Sequence, residues 1–153
     1  MADHKRYITI EAIISAAFGF VLSFFFTFVA FGEEDRVPVG GFGLIFDSAP
    51  QTFSLTFMSA LIPTLLTRKR MRAGAIAPMA ARPWPVPRSA PLRAFLLALL
   101  LTAVAVPLTA LLLFAGPSHH PFWPVAFAKA TYGMIMAAIV AIIAVRAVLT
   151  EAR

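Results

Sequence analysis

Residues 12–32 read AIISAAFGFVLSFFFTFVAFG, from Ala12 to Gly32, without one acidic or basic side chain. A helix needs about 20 mostly apolar residues to cross a bilayer, so this run predicts a membrane span. A secretory leader is the competing reading. Lys5 and Arg6 precede the run, and small residues, Ala30 and Gly32, flank Phe31. The apolar core of a leader is only about 7–15 residues long, so the stretch is read as a retained helix.

The whole chain has the same character. Its 153 residues are 60% hydrophobic and 13% charged, and the mean hydropathy is +0.85. Soluble domains average about 45–50% apolar and about 25% charged residues. A chain this short has too little interior to hide so much apolar surface from water. A soluble globular domain, a disordered tail and a coiled coil are excluded.

Three further runs follow. Residues 48–67 lie between Asp47 and Arg68 without a charge, residues 94–116 are rich in Leu and Ala, and residues 124–145 are interrupted only by Lys129. The expected fold is all-α: a polytopic membrane protein in which one domain, 1–153, forms a four-transmembrane-helix bundle. Its helices are expected at about 8–32, 48–67, 93–116 and 124–146. Ser48 and Gln51 fit a capping box at the start of the second, with Pro50 tolerated in the first turn. Pro63 is expected to kink that helix, and Pro107 to interrupt the third.

The net charge is +6 with a pI near 10.8. In a membrane chain, Lys and Arg collect in cytoplasmic loops. Lys5 and Arg6, seven basic residues of the central loop 68–93 and Arg146 and Arg153 would share one side, leaving Arg36 and Lys129 for the other. Both termini and the basic loop are therefore expected in the cytoplasm. The cluster Arg68, Lys69, Arg70 and Arg72 is expected to touch anionic lipid headgroups. Nucleic acid is not an expected partner, because no soluble domain presents the charge. Pro83-Trp84-Pro85-Val86-Pro87 is expected to be extended, a docking strip if a cytosolic partner exists.

Helices in lipid associate through small residues and hydrogen bonds rather than by hiding apolar surface. In the first helix Ala12, Ala16, Gly19, Ser23, Thr27 and Ala30 form one stripe, while Phe18, Phe20, Phe24, Phe25, Phe28 and Phe31 mostly fall elsewhere. Gly133, Ala137 and Ala141 repeat every four residues in line with Lys129, and Ala94, Ala98, Thr102, Ala105 and Thr109 do so less cleanly. In the second helix Ser48, Thr52, Thr56, Ser59, Pro63 and Thr67 step by three or four residues. Two readings of that stripe are open. It lines a wet path, or its hydroxyls bond to their own helix or a neighbour, which is the commoner arrangement.

Lys129 is the one charge well inside an expected span. It either snorkels to the headgroups or pairs with Asp47, which should lie at the same level. Glu11 is expected at the mouth of the first helix, where the N-terminal dipole favours an acid. His119 and His120 lack a third metal ligand and sit beside Phe122 and Trp123, so an interfacial turn is the plainer reading. The apolar, Gly-rich loop 37–46 is expected to lie in the interface or to dip into it. With no cysteine, thiolate chemistry is excluded. No nucleophile–base pair, carboxylate dyad or phosphate loop is present, so neither an enzyme nor a cofactor is expected.

Asp47-Ser48-Ala49-Pro50-Gln51-Thr52-Phe53, with Met58-Ser59-Ala60-Leu61-Ile62-Pro63 and Leu65-Leu66-Thr67-Arg68-Lys69-Arg70, resembles a segment of small uncharacterised bacterial four-helix inner-membrane proteins. The resemblance covers positions 47–70. It implies a bacterial source and four spans but no activity. The site it implies is Asp47, Pro50, Gln51, Thr52 and Ser59. The leading functional expectation is a helix-packing or accessory subunit of a membrane assembly, self-associating or bound to a larger complex. The alternative is a small oligomeric permease or channel. Asp47, Gln51, Thr52, Thr56, Ser59 and Lys129 are the candidate residues.

Overall fold

A computed structural model describes residues 2–32, 34–80 and 87–151, and the side chains from residue 4 onward. Most of the expected proline-rich strip, 83–86, lies outside the described residues, as do Arg82 and Arg153. Four long helices make up most of the chain: α1 (Ala2–Phe31), α2 (Leu44–Arg72), α3 (Ala90–Phe114) and α4 (Phe122–Leu149). Two short strands, β1 (Arg36–Pro38) and β2 (His119–Pro121), pair antiparallel with Val37 opposite His120.

Three helices are long and apolar enough to cross a membrane: His4–Phe31, Ala90–Phe114 and Phe122–Leu149. The fourth, α2, is as long but less apolar, because hydroxyls occupy so much of it. It also starts earlier than expected. Gly43 is its N-cap, and Asp47 lies in its first turn. The capping-box reading of Ser48 and Gln51 is thereby corrected: both sit inside the helix, and the Ser48 hydroxyl donates to the Ile45 carbonyl at 2.6 Å. Pro50 and Pro63 lie within the same continuous helix.

The helices do not close into a ring. The main contacts run α1 on α4, α4 on α2, and α2 on α3. The α1–α4 seam forms where Gly19 meets Gly133. A Cβ at Gly19 would collide with the Gly133 carbonyl oxygen and stand 2.5 Å from the Ala137 Cβ. A Cβ at Gly133 would strike the Ser23 hydroxyl. Small residues thus let the two backbones approach, as close packing in lipid requires. Ala12, Ser15, Gly19, Ser23 and Thr27 are buried on this face, whereas Ala30 is exposed. Phe18, Phe25 and Phe28 point outward, but Phe31 is buried against Val37, Leu44 and Phe122.

The third helix, α3, is fully buried only near its beginning, though Leu113 at its far end packs beside Val37 and Phe122. Its buried residues are Ala90, Arg93, Ala94 and Ala98, and Ala94 packs with Ala60, Val140 and Ala144. Beyond them Leu100, Leu108, Leu111, Leu112 and Phe114 are exposed. The Gly-rich connection packs against the helix ends. Val37 and Val39 are buried beside Leu44, Phe122, Val125 and Ala126, and the Val39 amide bonds Ser118 O at 3.0 Å. Gly41, with φ of +62°, makes the turn from β1 into α2, a conformation costly for other residues.

Candidate functional site

Among the described residues, half of the buried polar ones, six of twelve, belong to α2. Gln51, Thr52, Thr56, Ser59, Pro63, Thr64 and Thr67 are all buried. The hydroxyl stripe therefore looks into the protein. From Asp47 to Arg70 the helix rises about 35 Å at 1.5 Å per residue, more than the roughly 30 Å of bilayer hydrocarbon.

Both ends of this face are closed by a similar pair of contacts. At one end the Lys129 ammonium donates to the Asp47 carboxylate, and one turn further along each helix Thr52 Oγ1 lies 2.9 Å from the Tyr132 hydroxyl. Lys129 therefore reaches across to α2 rather than up to the headgroups, and only 15% of each paired side chain is exposed. At the other end Arg70 donates to Glu11 at 2.6 Å, and Thr67 Oγ1 lies 2.9 Å from the Tyr7 hydroxyl. The Arg70 guanidinium also stands 5.3 Å from the Tyr7 ring centroid. Modest desolvation lowers its pKa, but Tyr7 and Glu11 together raise it further, so the net shift is upward.

Glu11 is consequently not a helix-mouth acid. The helix begins at Ala2, and Glu11 is buried two turns inside it with an arginine across from it. Arg70 and Arg68 are each engaged by a carboxylate. Arg68 binds Glu151 at 2.8 Å and the Arg88 carbonyl. Lys69 and Arg72 are exposed.

Between the two closures the hydroxyls behave differently. Thr27 returns its proton to Ser23 O at 2.8 Å, as intramembrane Thr commonly does. Ser23 Oγ, Thr56 Oγ1, Ser59 Oγ and Thr64 Oγ1 are buried without a partner among the described residues. So is Gln51 Nε2. A buried polar group left unpaired costs about 1–3 kcal/mol, so several of them are a departure from an ordinary packed interface.

Searched against protein-family models, curated proteins and solved structures, the chain matches none.

Two features escaped the sequence reading. The first joins three helices to one carboxylate: Arg68 on α2, Arg93 on α3 and Glu151 just after α4. Arg93 is buried and also donates to Pro87 O at 3.0 Å. Its position at the edge of an apolar run was the available signal, since a charge there must find a partner. The second is a crevice of about 490 Å³ where α3 leaves α4, with Gln51, His120 and Lys129 in its wall. His119 and His120 belong to a strand rather than a turn. Among the described residues no three metal-ligating side chains gather.

Proposed function

We propose that the protein is a four-span inner-membrane permease of small size, in which α2 crosses the bilayer with its hydroxyl face inward and a small polar solute or ion passes along that face. The observation that carries this reading is the set of unpartnered buried hydroxyls on α2, Thr56, Ser59 and Thr64, between two ion-paired closures. A moving polar guest satisfies such groups in turn without being held by any one of them. The seam is long enough to join both surfaces.

In this reading the source is bacterial. The basic end, with Arg68–Arg93 and both chain termini, faces the cytoplasm under the positive-inside bias. Lys69 and Arg72 meet anionic headgroups there. Four helices that do not close into a ring gain from a second copy, and the exposed half of α3 is the surface for it.

The same free face of α3 favours a second reading, an accessory subunit that packs into a larger assembly. Flux separates the two. Proteoliposomes holding the full chain should equilibrate urea or glycerol, followed by stopped-flow light scattering, or protons, followed by an internal pH dye, faster than protein-free vesicles. Rates equal to empty vesicles for all of these probes overturn the permease and leave the accessory subunit.

A further inference from the structure

The seam between α1 and α4 leaves a groove of about 420 Å³ on its surface, walled by those two helices alone. Ile8, Ala12, Ile13 and Ala16 line it from α1, and Ala138 and Ile142 from α4. The alanines leave the room, and the isoleucines make the walls. Ile8 is buried with Val145 and Leu149 beneath it, so the floor is packed. The lining stops at Ala16 and Ala138, just short of the point where Gly19 and Gly133 bring the two backbones together.

One end of the groove is charged. Lys5 of α1 and Arg146 of α4 close it at the basic end of the bundle, and both are exposed. No acidic side chain lines it among the described residues. Glu11 and Glu151 are already taken by arginines of α2 and α3. Lys5 and Arg146 thus have no ion-pair partner among the described residues, unlike Arg68, Arg70, Arg93 and Lys129.

The length of the groove matches one leaflet. From Lys5 to Ala16 α1 rises about 16 Å, and from Ala138 to Arg146 α4 rises about 12 Å, at 1.5 Å per residue. One leaflet contributes about 15 Å of the bilayer hydrocarbon. Both helices are long and apolar enough to cross it. An acyl chain lying along the groove therefore brings its headgroup to the two cations. A phosphate suits them, because the arginine fork takes two of its oxygens and the lysine adds a point charge. A choline or ethanolamine head carries its own cation to Lys5 and Arg146 and loses part of that attraction. A head without a cation loses none.

We infer that this groove holds one anionic phospholipid, with its phosphate between Lys5 and Arg146 and one acyl chain along Ala12 and Ala138. The inference needs neither transport along α2 nor a protein partner.

The test mixes the full chain, purified in mild detergent, with equimolar phosphatidylglycerol and phosphatidylcholine of the same acyl chains. Native mass spectrometry counts the lipids retained. The first lipid bound should be phosphatidylglycerol by at least fivefold. Lys5→Gln with Arg146→Gln should cut that preference at least threefold. Lys69→Gln with Arg72→Gln removes the same charge elsewhere on the basic end and should cut it less than half as much. Ala138→Phe fills the groove without touching a charge and should lose the first lipid. Absence of a preference in the unmodified chain overturns the inference, as does an equal loss from the two charge pairs. Unchanged retention in Ala138→Phe overturns it too, and if that variant misfolds the exposed charge pairs still decide. Displacement of phosphatidylglycerol by equimolar oleate would assign the groove to a fatty acid and overturn the phospholipid. Flux measurements do not enter this test, so failure of the permease reading remains distinguishable.

Discussion

Lys129 of α4 and Asp47 of α2 stand 82 positions apart in the chain and form an ion pair at the ribbon end of the bundle. Both side chains are mostly out of solvent. Removing one partner of a buried pair strands the other charge, at about 3–5 kcal/mol. Asp47→Ala and Lys129→Ala should each lower the amount of folded protein in the membrane. The double exchange Asp47→Lys with Lys129→Asp should recover most of it. Quantitative blotting of membrane fractions checks this, and an exchange no better than the singles excludes the pair.

Thr56→Val and Ser59→Ala remove hydroxyls that have no partner among the described residues. Replacing an unsatisfied buried polar group by an apolar one of similar shape is nearly neutral or stabilising. The melting temperature of the purified double variant should therefore stay level or rise. Under the permease reading its flux should fall at least tenfold. Stability and transport moving in opposite directions is the signature to look for; a double variant with wild-type flux removes these hydroxyls from the path.

Gly133 of α4 sits against Ser23 and the backbone of Gly19 on α1. Gly133→Leu forces those helices apart. Overpacking of a tight contact costs about 1–3 kcal/mol. A melting temperature lower by several degrees is expected, with the same direction for Gly19→Leu. Leucine at Ala30, exposed on the same helix, should leave it unchanged.

Glu151 holds Arg93 and Arg68 together at the basic end. Glu151→Gln leaves the buried Arg93 guanidinium without its counter-charge and should destabilise by about 3–5 kcal/mol. The double variant Glu151→Met with Arg93→Met, which removes both charges from the interior, should recover part of that loss. Thermal denaturation in one detergent compares the three proteins, and a double variant less stable than Glu151→Gln contradicts the assignment.

Much of the architecture was written in local sequence. A run such as Ala12–Gly32 has no alternative to a long apolar helix, because an unpaired backbone is too costly in lipid. The 3.6-residue period placed Gly19 and Ser23 on one stripe and Gly133 and Ala137 on another, and it lined up Thr52, Thr56 and Ser59 on one face of α2. Those relations depend only on rise and turn per residue, which any single helix fixes for itself.

What the tertiary structure alone decided is which faces meet. That α1 lies on α4, that Glu11 finds Arg70 across 59 positions, that Glu151 draws in Arg68 and Arg93, and that α3 leaves α4 to open a crevice over Gln51 are matters of rotation and crossing between helices. In lipid, apolar surface does not select a partner, since the surroundings are apolar already. Selection falls to a few small-residue contacts and buried polar pairs, formed by side chains far apart in the chain, and no local pattern encodes which of them will meet.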